Sequence, residues 1–470
     1  MYSLLFLGIV SCVLSLILTP IVRNASLRLG LVDQPDQARK FHIAPVPRLG
    51  GVAIFIAVIG SYALLLAVRL SSGTIVWEGL PLFVRLTPAL AVIFGTGLVD
   101  DVVSVRPWKK LTAEFVAAAL AWFGGVHLSG VAGYSMIGVF GFVGTVLWIV
   151  ACTNAINLID GVDGLAAGIC LFAALTMLIA SSINHNFPLA LAVVSLVGAL
   201  IGFLRYNLNP ASIFLGDSGS LTLGFLLGCY AAVWGEKSST VLGMTAPLLV
   251  LAVPLLDVGV AIVRRFLRGQ PIFGADRDHI HHRLLSRGYA PQHVVLLIYG
   301  VCSIGATISL LLTFYHETYR GFVIVLVVLA AWLGLQHLGY SEFGVVTKML
   351  VGGGFRSVLS AQFALDSFER KFRDDLSLGE CWEILCLNSP EFGFSGVDFH
   401  LDDETHRAGV AEGWHARIDF PGHGYISLWR DSGAQSRSAA AVLFIDSVSR
   451  VIHLQLSRFD TVLRLSLIHI

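Results

Sequence analysis

Three acidic segments hold the residue types best suited to chemistry in this chain: Leu98-Val-Asp-Asp101, Asn154-Ala-Ile-Asn-Leu-Ile-Asp-Gly-Val-Asp-Gly164 and Phe214-Leu-Gly-Asp-Ser-Gly219. Each borders an apolar run, and ionisable groups at membrane depth are costly and usually functional. Adjacent carboxylates such as Asp100 and Asp101 need a counter-charge to stay ionised together, which a hard divalent cation with oxygen ligands supplies. Magnesium fits best, because it binds through one or two protein oxygens and otherwise through substrate phosphates. A lone Asp-Asp pair at a helix end reads as a solvated polar boundary. Convergence of Asp100, Asp101, Asp160, Asp163 and Asp217 from three segments favours a site instead. Lys109 and Lys110 follow about two helical turns later, where they suit either a phosphate or the inner membrane boundary.

A fourth polar tract, Asp276-Arg-Asp-His-Ile-His-His-Arg283, clusters His279, His281, His282 and Arg283 beside a membrane exit. Zinc is one reading. The neighbouring arginines suit an anionic pyrophosphate better than another cation, and substrate phosphate is the expectation. The first loop holds Asp33-Gln-Pro-Asp36 and Arg39-Lys-Phe-His42, then Pro45-Val-Pro-Arg-Leu-Gly-Gly51, whose prolines and glycines fix a turn. Taken alone it is an ordinary basic inner loop. Asp257, inside an apolar run, is expected to be a buried partner of Arg264 or Arg265 with no catalytic part.

The elements that must position these residues are membrane helices. Of the residues, 56% are hydrophobic and 13% charged, and the apolar runs reach the roughly 20 residues that cross a bilayer. The expected fold is an all-α polytopic membrane protein with about eleven spans, at 1–19, 50–70, 81–99, 112–126, 134–152, 165–183, 187–204, 218–235, 242–263, 294–314 and 320–338. The fourth is short and contains Glu114. The N-terminal run lacks a basic leader and a small-residue cleavage site, so it reads as a retained span. Basic residues number fifteen on one face against four on the other, which places the N-terminus outside and the acidic segments, the His tract and the C-terminal region in the cytoplasm. The net charge of zero argues against a nucleic-acid partner. Five of the seven cysteines, Cys12, Cys152, Cys170, Cys229 and Cys302, lie in or beside apolar spans, none of the seven has metal-ligand spacing, and all read as small buried hydrophobes.

Composition shifts near Ser341, with 17 of the 31 carboxylates in the last 130 residues and a linker-like Gly352-Gly-Gly354. Residues 1–340 form the expected membrane domain and 341–464 a small cytoplasmic α/β domain. Its helices are expected at Ser357–Arg373 and Ala439–Arg458, its strands at Val397–Leu401, Ala416–Phe420 and Tyr425–Trp429. Residues 465–470 match read-through of a common sequencing-library adapter and are left out of the fold reasoning.

Val99-Asp-Asp101, Asn154-Ala-Ile-Asn157 running into Asp160-Gly-Val-Asp-Gly164, Phe214-Leu-Gly-Asp-Ser-Gly-Ser220 and His279-Ile-His-His282 occur in one order and at one membrane face. Over about residues 1–340 the chain thereby resembles the polyprenyl-phosphate N-acetylhexosamine-1-phosphate transferases. These include the phospho-MurNAc-pentapeptide translocase and the initiators of O-antigen and teichoic-acid synthesis. The His-Ile-His-His form resembles the branch using UDP-N-acetylglucosamine and departs from the three consecutive histidines of the translocase. The resemblance implies a bacterial inner-membrane enzyme, magnesium-dependent with manganese as a substitute. It would transfer sugar-1-phosphate from a UDP-N-acetylhexosamine to undecaprenyl phosphate and release UMP, the first membrane step of cell-surface polysaccharide synthesis.

By that resemblance Asp217 and Asn157 hold the metal, and Asp100 orients or deprotonates the lipid phosphate. Asp101 supports the metal region and Lys110 meets a phosphate. Asp163 accepts from the uracil ring, and Asp160, His281, His282 and Arg283 bind substrate, with His279 counted among the catalytic groups. A homodimer is one of the assemblies the resemblance admits. Two other classes compete. An ion-coupled transporter would place its carboxylates at the bilayer midplane rather than at one face. A non-catalytic scaffold would not need all three acidic segments.

Overall fold

The computed structural model describes residues 2–33, 45–68, 73–128, 130–131, 134–135, 138–236, 251–267, 279–314, 329–330, 333–334, 364–365, 367–372, 376–402, 404–410, 413–431 and 438–467. The chain divides into two compact units, Met1–Gly339 and Tyr340–Ile470. The described part of the first unit is a helical bundle. Its main helices are α1 (Tyr2–Arg28), α2 (Gly50–Val68), α3 (Gly73–Val103), α4 (Pro107–Phe123), α5 (Gly138–Ile159), α6 (Leu165–Ile183), α7 (Phe187–Asn207), α8 (Gly216–Glu236), α9 (Ala252–Leu267), the short α10 (Ile280–Ser286) and α11 (Pro291–Phe314). Two-residue strands β1 (Val32–Asp33) and β2 (Val46–Pro47) pair antiparallel, as do β3 (Gly130–Val131) and β4 (Tyr134–Ser135).

The helices are built for lipid. In α1 the buried positions are Ser3, Leu7, Ser11, Ser15, Thr19 and Ser26, whereas Leu5, Ile9, Val13, Ile17 and Ile21 are each roughly half exposed. Water would demand the reverse pattern. A bilayer permits it, because helices there associate through close approach of small residues and hydrogen bonds. Ser15 Oγ donates to the Ala199 carbonyl across the α1–α7 seam at 2.8 Å. A Cβ on Gly202 of α7 would stand 2.6 Å from the Cys12 carbonyl oxygen.

Among the described residues seven helices are long and apolar enough to cross a membrane, against the eleven spans expected. They are α1, α2, Val84–Val103 of α3, Val139–Ile159 of α5, α6, α7 and Pro291–Leu311 of α11. The expected spans at 112–126 and 218–235 correspond to α4 and α8, and the described part of that at 242–263 to α9; residues 242–250 lie outside the described residues. Two of these are short, α4 with 17 residues and α9 with 16. The span expected at 320–338 falls almost wholly outside the described residues. So do Asp36, Arg39, Lys40 and His42, the start of the His tract at Asp276–Asp278, and Gly352-Gly-Gly354.

Helix α8 is the axis of the bundle, packed against α5, α3, α2, α6 and α7. Glycines let it approach its neighbours. A Cβ on Gly97 of α3 would collide with the Asp217 backbone, one on Gly51 of α2 with Gly219, and one on Gly224 would lie 2.7 Å from the Cys152 carbonyl oxygen. The first turn of α8, carrying Asp217, is thus wedged between α2 and α3.

In the second unit β5 (Gly396–Leu401), β6 (Glu404–Gly409), β7 (Trp414–Phe420) and β8 (Gly424–Arg430) form one antiparallel sheet in the order β6-β5-β8-β7. Helices α12 (Leu378–Asn388) and α13 (Ser438–Leu467) accompany it. The wholly antiparallel pairing makes the unit α+β, not the expected α/β. Its core is aromatic: Phe392 stacks on Phe444 with ring centroids 4.2 Å apart, and Phe368 and Phe399 are fully buried with them. Ser377 and Glu380 form a reciprocal cap at the start of α12.

Candidate active site

The α3–α4 corner turns on Asp100. Its Oδ1 accepts from the Val105 backbone at 2.5 Å, and Ser104 takes a left-handed φ of 57° in the turn. Pro107 then opens α4, where a missing N–H costs nothing. This reversal brings Lys110 back to the second Asp100 oxygen, 3.2 Å away, and the same ammonium binds Asp217 Oδ2. One cation thus bridges carboxylates from α3 and α8.

Asp101 points the other way, into the start of α8. Its two oxygens accept from the Asp217 and Ser218 backbone N–H groups at 2.7 and 3.0 Å. Those donors are the orphan amides of a helix N-terminus, where a negative charge is favoured. Gly216 is required here: its φ is 73° and a Cβ would strike the Arg48 carbonyl oxygen and the Asp101 carboxylate. Asp101 therefore fixes the turn that presents Asp217.

Asp160 and Asp163 follow the end of α5. Asp163 Oδ2 accepts from Asn209 Nδ2 and the Ala211 N–H, both at 2.9 Å, so the acidic segment is tied to the α7–α8 loop. Gly164 takes a φ of 77° to start α6, and its carbonyl accepts from the Tyr299 hydroxyl at 2.5 Å. Burial, joined by the charges of Asp217, Asp101 and Asp163, raises the Asp160 pKa well above the carboxylate range. Burial disfavours the charged form, and the neighbouring carboxylates add to the effect.

These groups line one open cleft of about 630 Å³, within the range of small-molecule sites. Its walls include Asp100, Asp101, Asp160, Asp163, Asp217 and His282, joined by Asp33 and Arg48. The three acidic segments do converge. Arg48 pairs with Asp33 at 3.1 Å. The segment around it is stitched to the approach to α8, with Phe214 N donating to Pro47 O at 2.7 Å and Gly51 N to Leu215 O at 2.8 Å. The Pro-Val-Pro-Arg-Leu-Gly-Gly turn, which read as an ordinary inner loop, thus forms a wall of the cleft. Its paired prolines and glycines were the available signal.

Other expected site residues lie elsewhere. Asn157 is not a lining residue; it donates to Ser220 Oγ at 2.9 Å and joins α5 to α8. His281 is buried against Gly161, with no hydrogen-bond partner for either ring nitrogen among the described residues. Burial first, then the neighbouring His282, pushes its pKa down to about 3, so it is a neutral ring. His279 is buried at the start of α10, away from the lining, its Nδ1 3.1 Å from Asp257 Oδ2. Asp257 Oδ1 accepts from the Ile280 N–H at 2.9 Å. Asp257 is buried, as expected, and it also anchors the His tract to α9. Arg283 follows on α10, half-buried and outside the lining.

The donor set suits a hard divalent cation. Among the described residues no three His, Cys, Asp or Glu side chains form a ready-made metal cluster. Magnesium does not need one, since it takes one or two carboxylates and completes its shell with water and phosphate. Asp217 and Asp160 supply oxygens in a cleft rich in carboxylates, and Lys110 already occupies a cation position between Asp100 and Asp217.

Residues 83–235, from α3 through α8, match the glycosyl transferase family 4 profile. A Bacillus subtilis (strain 168) protein named as a probable undecaprenyl-phosphate N-acetylglucosaminyl 1-phosphate transferase is 34% identical over 354 residues, covering 73% of this chain and 96% of the relative. The decaprenyl-phosphate N-acetylglucosaminephosphotransferase of Mycobacterium tuberculosis (strain ATCC 25618 / H37Rv) is 34% identical over 340 residues, 66% of this chain and 83% of the relative. The undecaprenyl-phosphate alpha-N-acetylglucosaminyl 1-phosphate transferase of Escherichia coli (strain K12) is 26% identical over 324 residues, 66% and 84% of the two chains. With acidic segments from α3, α5–α6 and α8 gathered on one cleft, and near-complete coverage of a relative at this identity, the chain belongs to glycosyl transferase family 4, the polyprenyl-phosphate sugar-1-phosphate transferases.

Proposed function

We propose that the protein transfers N-acetylglucosamine-1-phosphate from UDP-N-acetylglucosamine to undecaprenyl phosphate and releases UMP. The observation that carries the reading is the Asp100–Lys110–Asp217 bridge at the rim of an acidic cleft, supported by the names of the relatives. A lipid-phosphate oxygen attacks the β-phosphorus of the nucleotide sugar. The bond from that phosphorus to the bridging oxygen breaks, and UMP leaves with the electron pair. Such a transfer asks the protein for alignment and charge compensation rather than covalent chemistry.

Magnesium, held by Asp217 with Asp160 beside it, would offset the charge of the pyrophosphate. The chain's own residues do the rest. Lys110 offers an ammonium to a phosphate oxygen once it is released from Asp217. Asp100, fixed by the Val105 N–H, holds that ammonium where it can meet the acceptor phosphate. Arg48 and His282 present further donors on the cleft wall, and Asp163 holds the α7–α8 loop against it. The site lies at the cytoplasmic face of the bacterial inner membrane, following the distribution of basic residues. The expected product is the first lipid-linked intermediate of a cell-surface polysaccharide.

The deciding experiment is UMP release by purified protein in detergent with undecaprenyl phosphate and a panel of UDP-sugars. Release with UDP-N-acetylglucosamine that requires both the lipid and magnesium is the expected result. Release with UDP-MurNAc-pentapeptide alone would transfer the reading to peptidoglycan synthesis.

A further inference from the structure

Glu114 is a carboxylate for which the reaction above has no use. It stands in mid-α4 at 3% exposure, in a helix read as a membrane segment, where an ionisable side chain is expensive to keep. It accepts from Asn154 Nδ2 on α5, which is a neutral donor. Four residues earlier on the same helix stands Lys110, held between Asp100 and Asp217. Positions four apart on a helix lie about 5–6 Å apart at Cβ, so a lysine stem passes from one partner to the other by changing rotamers alone.

We propose that Glu114 is a positioning residue that receives the Lys110 ammonium when Asp217 turns to a divalent cation. The inference rests on the reading of Asp217 as a cation ligand. An ammonium and a divalent ion on one carboxylate repel each other, so Lys110 must leave Asp217 for the cation to settle there. Leaving Asp217 costs Lys110 one of the two negative charges that hold it, with Asp100 keeping the other. Glu114 supplies the lost charge one helical turn away. The Asn154 amide holds the carboxylate in place meanwhile, because amide donation satisfies an oxygen without neutralising it. Cation binding and Lys110 release are then one coupled exchange.

The test is Mn2+ binding, followed by electron paramagnetic resonance, to the full-length protein in detergent without substrate. Wild type, Glu114→Gln, Lys110→Met and the double variant form a cycle. Glu114→Gln is expected to weaken Mn2+ binding about tenfold, because Lys110 keeps competing for Asp217. Lys110→Met is expected to tighten it, and in that background Glu114→Gln should change affinity less than about twofold.

Equal weakening in both backgrounds would assign Glu114 to helix packing alone and overturn the proposal, as would unchanged affinity in Glu114→Gln. A wild type that binds no Mn2+ would bring down the cation reading together with it. Wild-type binding with an indifferent Glu114→Gln would sink this inference only. Should Glu114→Gln fail to fold, Asn154→Ala keeps the carboxylate and removes the α4–α5 link. Affinity within about twofold of wild type is then expected, and a tenfold loss would place the effect in packing.

Discussion

Asp101→Asn separates a residue that holds the site from one that touches the substrate. The wild-type carboxylate accepts two backbone amides of the α8 first turn. Asparagine has one acceptor oxygen and turns an NH2 towards the other amide. Loss of one charge-assisted hydrogen bond costs about 1.5–3 kcal/mol, and loss of the anion at a helix N-terminus a further ~0.5–1 kcal/mol. The local destabilisation is therefore about 2–4 kcal/mol. At 1.36 kcal/mol per decade, opening of that turn becomes about 30-fold to 1,000-fold more frequent. Hydrogen–deuterium exchange of the peptide spanning Gly216 to Thr222 reads this directly, with UMP release measured on the same sample. Faster exchange confined to that peptide, together with slower transfer, is expected. Unchanged exchange with lost activity would refute the reasoning, because Asp101 would then act on the substrate itself.

Asp217→Ala should abolish transfer and leave folding intact by size-exclusion chromatography; near-normal UMP release would remove Asp217 from the site. His281 is a buried neutral ring whose pKa falls from an unfolded value near 6.5 to about 3. The unfolded chain then binds the extra proton, so stability declines as pH falls from about 6.5 towards 3 and is unaffected above that window. Between pH 6.5 and 5 this amounts to about 2 kcal/mol. Thermal unfolding of His281→Leu should show a shallower loss over that interval, and an identical pH profile would contradict the burial argument. Asp257→Ala should raise proteolytic cleavage within α10, since the Ile280 N–H and His279 lose their shared anchor; resistance equal to wild type would refute that anchoring role. A chain ending at Leu350 should keep transferase activity in membranes at matched expression, and its loss would make the C-terminal unit part of the site.

The acidic site was legible because its residues are rare where they stand. Carboxylates bordering apolar runs announce themselves, and Asp100, Asp101, Asp160, Asp163 and Asp217 do meet on one cleft. Composition could not tell which of them faces substrate. Asp101 sits one residue, about 100°, further round α3 than Asp100, so it reaches the α8 amides while Asp100 reaches Lys110. Asp257 was legible as a buried group, but its contact with the Ile280 backbone amide, 23 residues away, has no sequence signal. In the second unit, three strands with alternating apolar residues were readable. Strand β6, Glu-Thr-His-Arg-Ala-Gly, was not, because an edge strand needs little apolar pattern to pair with β5.

The serine and threonine stripe of α1 means that, on this helix, hydrophobicity and stability are uncoupled. A soluble protein is commonly strengthened by exchanging a buried serine for leucine. Here Ser15→Leu would raise the helix's affinity for the bilayer and at the same time push it away from Gly202 of α7. Such a chain would insert at least as well as the wild type and assemble worse. Selection for expression or membrane yield alone would therefore miss the defect, and a measure of helix association would expose it.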